Sequence, residues 1–138
     1  MVAPCAGIIV FDKNRTILVR THVGYYSFPK GKRNKGENDT ETAMRELMEE
    51  TNITKNDIEL LNISPLDEMS DNNNLAVRYF VAHLLKPIEK IIFDPEELKY
   101  VGWYDVNICL KLDKLKQTRK TILQEAYVKY KEIINNKQ

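Results

Sequence analysis

The first third of the chain alternates short apolar runs with polar turns. CAGIIVF and TILVR are apolar and rich in β-branched residues, and the turn-like DKNR separates them. This pattern predicts a pair of neighbouring strands. YYSF predicts a third, aromatic strand that ends at Pro29 and Gly31.

The pattern changes to that of a helix at Asp39. Asp39 or Thr40 can cap its first turn, and Asn52 is expected to end it because asparagine tolerates the left-handed conformation. The apolar positions recur at helical spacing, at Ala43, Met44, Leu47 and Met48.

The second half of the chain predicts more strands and then a closing helix. IELLNISPLDEM and LAVRYFVAHLL predict two longer strands around SDNNN, and KYVGWYDV predicts one more. A helix is predicted from about Asp113 to Asn135. Its apolar stripe consists of Leu115, Ile122, Leu123, Ala126, Tyr127, Tyr130, Ile133 and Ile134.

This order of elements predicts an α+β fold in which a mixed sheet packs between helices as an α/β/α sandwich. No internal repeat or low-complexity linker interrupts the 138 residues, so residues 1–138 are expected to form a single domain.

Composition limits the partners and the compartment. The net charge of +1 predicts no wholesale attraction to nucleic acid or to a membrane. The start MVAPCAGIIVFD lacks the charged and long apolar regions of a signal peptide, and Cys5 and Cys109 suggest neither a disulfide framework nor a metal site. We therefore expect a cytoplasmic protein with reduced thiols.

Three carboxylates are concentrated in the first predicted helix. Glu46, Glu49 and Glu50 stand at positions i, i+3 and i+4, so they project from one side. At an effective dielectric near 20, each close pair costs up to about 3 kcal/mol, whereas an exposed pair of Arg45 with Glu49 returns only about 0.5 kcal/mol. Mg²⁺ or Mn²⁺ would balance the cluster. A solvated acidic helix face is the alternative that the carboxylates alone leave open.

A basic segment lies directly upstream of that helix. Gly31 is expected to let the backbone turn sharply and bring N–H groups close to an anion. A basic loop alone is usually a solubilised turn, but this one followed by an acidic helix favours a site for a metal-bound polyphosphate. The candidate phosphate-binding residues are Lys30, Lys32, Arg33 and Lys35.

The spacing of these residues resembles the Nudix box. Gly31, five residues, Glu37, seven residues and then REL-x-EE-x-N-I follow the family pattern over 23 residues. Asn52, which stands where the family has glycine, is the one fixed position that departs. Asparagine is the commonest substitute for glycine in that left-handed conformation.

The resemblance implies metal-dependent hydrolysis of a nucleoside diphosphate linked to another group. Arg45 would orient the glutamates and take part in catalysis, and Glu37 would support the helix. Glu46 or Glu50 would act as ligand or general base. The implied metal site contains Gly31, Glu46, Glu49 and Glu50, with Mg²⁺ or Mn²⁺ as the cofactor.

Glu97 is a further candidate for the metal site and for catalysis. It lies six residues before Trp103, and several Nudix branches carry a metal-binding or catalytic glutamate at that spacing. Glu96 is the neighbouring alternative, and the remaining interpretation is a plain loop glutamate.

The flanks of the box suggest a substrate. FPKGKRNKGEND resembles the catalytic domain of mRNA-decapping enzymes, which implies a cap-like or mRNA-cap substrate and release of methylated GDP. Dinucleoside polyphosphates of the diadenosine tetraphosphate type, nucleoside triphosphates and inositol pyrophosphates are the alternatives. A non-catalytic nucleotide sensor is disfavoured because all four box glutamates are present. The chain starts at the first predicted strand, so the regulatory domain that precedes the catalytic one in eukaryotic decapping enzymes is not expected.

RNA contact and base stacking are two further expectations from the sequence. The basic loop and the closing helix can supply cations to RNA, at Lys111, Lys114, Lys116, Arg119, Lys120, Lys129 and Lys131. Candidate stacking residues are Tyr25, Tyr26, Tyr79, Phe80, Tyr100 and Tyr104, although alternation along a strand places some of them in the core. His22 and His83 are isolated, and no catalytic role is expected for them.

Overall fold

Eight strands and three helices are described within residues 2–137 of a computed structural model. The strands are β1 (Cys5–Asp12), β2 (Arg15–Arg20), β3 (Tyr26–Ser27), β4 (Lys30–Lys32), β5 (Ile58–Leu60), β6 (Leu66–Met69), β7 (Leu75–Leu84) and β8 (Tyr100–Asp105). The helices are α1 (Asp39–Thr51), α2 (Val106–Cys109) and α3 (Gln117–Asn136).

A parallel pair of strands lies at the centre of one mixed sheet. β1 runs parallel to β7, with Cys5 opposite Val77 and Phe11 opposite His83. The main path of the sheet is β3-β2-β1-β7-β5, while β4 pairs with β1, β6 with β7 and β8 with β2, all antiparallel. β1 therefore connects the first half of the chain to the second.

The two faces of this sheet are covered by different helices. Alternate side chains of β1 point to opposite faces: Ile9 and Phe11 belong to the cluster that contains Leu123 of α3, whereas Ile8 belongs to the cluster that contains Leu47 of α1. The predicted α/β/α sandwich is confirmed.

The N-cap of helix α1 lies one residue earlier than the sequence suggested. Asn38 is the N-cap: its side chain accepts from the Glu41 N–H at 2.8 Å, and Glu41 accepts from the Asn38 N–H at 3.0 Å. The expectation of Asp39 or Thr40 as the cap is wrong, because Asp39 accepts instead from the backbone N–H of Ala3 at 3.0 Å.

The end of α1 is as predicted. Asn52 adopts a left-handed conformation with φ of 62°, and its N–H donates to the Met48 carbonyl at 2.9 Å. Its side chain also donates to the carbonyl of Ile92 at 2.7 Å, which ties the end of the helix to the segment after β7.

Other predicted boundaries need correction. The long strand expected in IELLNISPLDEM is two short strands, β5 and β6, and Pro65, which has no N–H to donate to a ladder, lies between them. Part of the basic loop, Lys30–Lys32, is strand β4. The closing helix starts at Gln117 rather than near Asp113, and the short α2 was not predicted. Within residues 2–137 no helix combines the length and apolarity needed to cross a membrane.

The capping geometry makes a testable prediction. Asn38→Ala removes the acceptor for the Glu41 N–H from an exposed position, so we expect it to lower the free energy of unfolding by about 1 kcal/mol. Urea unfolding of the wild type and the variant measures this difference. Asn38→Ser is the matched control and should keep most of the stability; equal losses in both variants would contradict the capping role.

Candidate active site

The guanidinium of Arg45 connects three carboxylates and a strand. Its Nε donates to Glu37 Oε2 at 2.8 Å, and its Nη1 donates to Glu46 Oε1 at 2.9 Å and to Glu49 Oε1 at 3.0 Å. Its Nη2 donates to the Lys32 carbonyl of β4 at 2.7 Å. The predicted pairing of Arg45 with Glu49 is confirmed as one bond of a larger network.

Glu37 fixes the segment before α1 to this network. Its Oε1 accepts from the Asn34 N–H at 2.8 Å and from the Thr42 hydroxyl at 3.0 Å, in addition to Arg45. The hydrogen bond from Arg45 lowers the pKa of Glu37 to about 2. Glu37 is therefore ionised at neutral pH and engaged in structural bonds.

Gly31 lies directly against the carboxylate of Glu46. A Cβ atom built on Gly31 would overlap all three carboxylate atoms of Glu46. Gly31 sits in β4 opposite Ala6 and is not among the glycines with positive φ, which are Gly24 and Gly36. The expectation of a sharp turn at Gly31 is therefore wrong: the residue provides space for a carboxylate.

Glu50 is held by the backbone of the residue before Gly31. Its Oε1 accepts from the backbone N–H of Lys30 at 3.0 Å. Burial raises the pKa of Glu50 to about 7, and burial also raises the pKa of Glu46. Both carboxylates thus favour the protonated form more than an exposed glutamate does, and a nearby cation would favour their ionised form.

The oxygen atoms of α1 suit a divalent ion that is bound together with phosphate. Within residues 2–137 no group of three His, Cys, Asp or Glu side chains is arranged to hold a metal ion by itself. Mg²⁺ does not require one, because it usually keeps several waters and binds one or two carboxylates plus substrate phosphates. Glu46 and Glu49 already lie within 3.0 Å of one nitrogen of Arg45. The donors present therefore fit the implied cofactor.

The four basic residues upstream differ in their surroundings. Lys30 is half-buried, whereas Lys32, Arg33 and Lys35 are exposed. Glu97 is also exposed, in the turn that follows Asp94. The contacts described for residues 2–137 do not connect Glu97 with the glutamates of α1, so its role stays a prediction.

The aromatic candidates for base stacking separate into buried and accessible side chains. Tyr79 is fully buried and its hydroxyl donates to Glu68 Oε1 at 2.8 Å, so Tyr79 as a stacking residue is wrong. Phe80 is half-buried and packs against the core cluster on the α1 side of the sheet. Tyr26 and Tyr100 keep exposed surface, and Tyr104 lies between them in edge-on contacts with both rings.

A cavity of about 490 Å³ opens beside Lys30. Its volume lies in the range of pockets that bind small molecules. Two aromatic residues and three cationic residues contribute to the wall, which is formed by Thr21, Val23, Tyr25, Tyr26, Ser27, Lys30, Lys116 and Arg119.

The sequence did not reveal the place of Arg119 in this wall. Arg119 was expected among the solvated cations of the closing helix, but it is only 8% exposed and its Nε donates to Glu68 Oε1 at 3.0 Å. That expectation is wrong because α3 turns this position toward β6. The spacing of Arg119 with Ile122, Leu123 and Ala126, three of the predicted apolar stripe, was the available signal.

A family model described as the NUDIX domain matches residues 1–126. The chain belongs to the Nudix family. The Nudix box is the segment from Gly31 to Ile53, which supplies two of the three residues of β4, all of α1 and the carboxylates described above. This membership makes the chain a pyrophosphohydrolase, and Nudix enzymes generally use divalent metal ions.

Solved structures of other Nudix-fold proteins resemble more than nine tenths of the chain. A Caenorhabditis elegans Ap4A hydrolase in a binary complex matches with a TM-score of 0.81 and 20% identity, over 93% of this chain and 98% of that one. A MutT protein from Methanosarcina mazei Go1 matches with 0.69 and 19%, over 95% and 99%. The Escherichia coli dihydroneopterin triphosphate pyrophosphohydrolase matches with 0.65 and 16%, over 91% and 97%. No curated protein sequence matches the chain.

The contact between Gly31 and Glu46 predicts a selective loss of activity. In Gly31→Ala the new methyl group must displace the carboxylate of Glu46, and we expect hydrolysis to fall at least tenfold. The thermal unfolding midpoint should change little, because the displaced atoms end a flexible side chain. Hydrolysis rates and melting curves measured on the same preparation test this; full activity would contradict the role of the close contact.

The raised pKa values of Glu46 and Glu50 predict how stability depends on pH without metal. A carboxyl group whose pKa is raised by folding stabilises the folded state below its unfolded pKa, and this contribution is lost as pH rises through the folded value. In EDTA, the free energy of unfolding should fall by roughly 2 kcal/mol between pH 5 and pH 8. Urea unfolding across this range provides the measurement.

Glu50→Gln should make that pH dependence shallower, because the amide does not titrate. Glu125→Gln, at an exposed position of α3, is the matched control and should keep the wild-type slope. An unchanged slope in Glu50→Gln would show that Glu50 has an ordinary pKa.

Proposed function

We propose that this chain hydrolyses a pyrophosphate linkage between a nucleoside diphosphate and a second phosphorylated group, with Mg²⁺ or Mn²⁺ as the cofactor. The observation that carries the proposal is the position of Lys30. Its backbone N–H binds Glu50, while the residue also contributes to the cavity with Tyr26 and Arg119. A nucleotide in the cavity would extend its phosphates toward the carboxylates.

The charged residues of α1 would have different roles in this reaction. Glu46, Glu49 and Glu50 would hold the divalent ions, which neutralise the pyrophosphate and lower the pKa of a bound water when present. Glu46 or Glu50 would take the proton of the attacking water as general base. Arg45 would keep Glu46 and Glu49 aligned. Glu97 is proposed as a further ligand or base from the loop before β8.

The chemical group at the far end of the substrate's phosphates can be inferred from the cavity. The cavity is large enough for one nucleotide, and two aromatic rings with three cations favour a base and its phosphates. A dinucleoside polyphosphate carries a base with phosphates at each end. The similar C. elegans structure is named an Ap4A hydrolase. An mRNA cap belongs to the same chemical class, because its two nucleosides are joined by a triphosphate.

Decapping of long RNA is the second candidate. The segment FPKGKRNKGEND supports it, and so do Lys111, Lys114 and Lys116, which are exposed and lead to the cavity wall. The burial of Arg119 removes one of the cations expected to contact RNA. An RNA body bound by surface lysines would make activity fall steeply with salt.

Replacing one carboxylate tests the mechanism. Glu50→Gln should reduce hydrolysis of every accepted substrate at least 100-fold at saturating Mg²⁺ or Mn²⁺, because the amide is a poor metal ligand and cannot accept the proton. Glu125→Gln is the control and should keep wild-type turnover. Release of phosphate or nucleotide, followed by chromatography, is the readout. Turnover within a few-fold of wild type in Glu50→Gln would rule out this role.

A substrate panel separates the candidate groups. Diadenosine and diguanosine tetraphosphates and free cap dinucleotide should all be cleaved with higher kcat/KM than nucleoside triphosphates and inositol pyrophosphates. Measurements on long capped RNA at 50 and 200 mM salt complete the panel. Release of methylated GDP from capped RNA but not from the free dinucleotide would overturn the small-molecule proposal in favour of decapping.

A further inference from the structure

A buried ion pair lies behind the cavity wall. Glu68 of β6 and Arg119 of α3 keep only 8% and 10% of their side chains exposed, and Arg119 Nε and Nη2 donate to the two carboxylate oxygens of Glu68 at 3.0 and 3.4 Å. Tyr79 of β7 donates its hydroxyl to the same Oε1 at 2.8 Å. Three elements are thus joined through one carboxylate.

Stability alone does not account well for this arrangement. Removing two charges from water is costly, and a buried ion pair often stabilises a fold no more than apolar residues of the same size. The pair does, however, fix the plane of a guanidinium that carries five donors in a rigid fork. Burial also holds the pKa of Tyr79 well above its ordinary value, so its hydroxyl stays a donor to Glu68.

The orientation of Arg119 leaves donors for a ligand. Nε and one N–H of Nη2 bind Glu68, and one N–H of Nη1 donates to the Tyr26 carbonyl at 2.9 Å. Within residues 2–137 the second N–H of Nη1 and that of Nη2 have no protein acceptor. Arg119 contributes to the cavity wall, and these two N–H groups are the donors of its guanidinium that no acceptor among the described residues occupies.

We propose that Arg119 binds the substrate through these two N–H groups, and that Glu68 and Tyr79 are positioning residues that hold its guanidinium in place. This inference deepens the proposed function and rests on it. The ligand chemistry is a pair of adjacent acceptors. Guanine presents such a pair at O6 and N7, whereas adenine presents an acceptor next to a donor; two phosphate oxygens are the other source.

The carbonyl of Tyr26 gives this network a second effect on the cavity. Arg119 binds that carbonyl, and the Tyr26 N–H donates to the Lys114 carbonyl at 3.0 Å. The backbone of Tyr26 is therefore held from both sides, and its ring, which also contacts the guanidinium carbon of Arg20 at 5.2 Å, has a fixed place in the wall. Loss of Glu68 would disturb both the fork and this ring.

The test compares binding and turnover for substrates that differ only in the base. GTP and ATP binding is measured by calorimetry in EDTA, and KM and kcat are measured for diguanosine and diadenosine tetraphosphates with Mg²⁺. Arg119→Lys keeps the charge but loses the fork, so we expect Kd and KM to rise at least tenfold while kcat stays within about threefold. Tyr79→Phe and Glu68→Gln should raise both constants by smaller factors.

Arg15→Lys is the matched control. Arg15 also forms carboxylate pairs, with Asp12 and Glu89, but it lies at the other end of β2, five residues or about 16 Å from Arg20. Its constants should equal those of the wild type. Melting curves identify variants that are folded, and Tyr79→Phe, which keeps the ion pair, remains informative where Glu68→Gln is destabilised.

The outcomes distinguish a contact with the base from a contact with phosphate, and failure of the Arg119 proposal from failure of the proposed function. A rise that is larger for guanine than for adenine ligands assigns the donors to the base edge, and an equal rise assigns them to phosphate; both support the proposal. Unchanged Kd and KM in folded Arg119→Lys would overturn it. Nucleotide binding that depends on Arg119 without hydrolysis by the wild type would instead refute the proposed function and leave the Arg119 site standing.

Discussion

The interaction of Arg45 with Glu37, Glu46 and Glu49 determines how the rest of the site is built. Three like charges this close would repel one another, and a single guanidinium within 3.0 Å of each reduces that repulsion while it fixes their positions. The same guanidinium binds the Lys32 carbonyl. Helix α1 and strand β4 therefore keep one relative position, on which the spacing between carboxylates and cavity depends.

Strand β4 connects helix α1 with the central strand of the sheet. Gly31 pairs with Ala6 of β1, and β1 is the strand that joins both halves of the sheet. A side chain at Gly31 would push against Glu46, so the sheet can approach the helix this closely only with glycine there. The position of the glutamate thus follows from the packing of the central strand as well as from the helix.

The sequence predicted those parts that depend on local patterns. The glutamates of α1, the left-handed Asn52 and the two helix layers follow from spacing and from conformational preference, which are properties of neighbouring residues. The cap at Asn38 was missed by one residue because Asn38, Asp39 and Thr40 are all good N-caps, and only the tertiary contact of Asp39 with Ala3 decides between them.

The parts that were missed depend on residues far apart in the chain. Arg119 is separated from Glu68 by 51 residues and from Tyr26 by 93, so its spacing with the apolar stripe of α3 can indicate burial but not these partners. Tyr79 lies at a core-facing position of β7. Alternation along the strand allowed either a core or a surface role, and the hydrogen bond from its hydroxyl to Glu68, which decides between them, joins residues of two strands.

The two charged regions of the site have opposite signs, and this difference would determine the orientation in which a substrate binds. Glu46 and Glu50 ionise together more readily when a cation is near. The cavity wall carries the lysines Lys30 and Lys116, which suit an anion, and Arg119, whose charge is paired with Glu68. A polyphosphate with bound metal ions would satisfy both, because Glu46 and Glu50 would hold the ions while the lysines of the cavity wall would bind the nucleotide. A bare cation or a bare nucleotide would satisfy only one. The arrangement therefore favours a metal-bound nucleotide over either component alone.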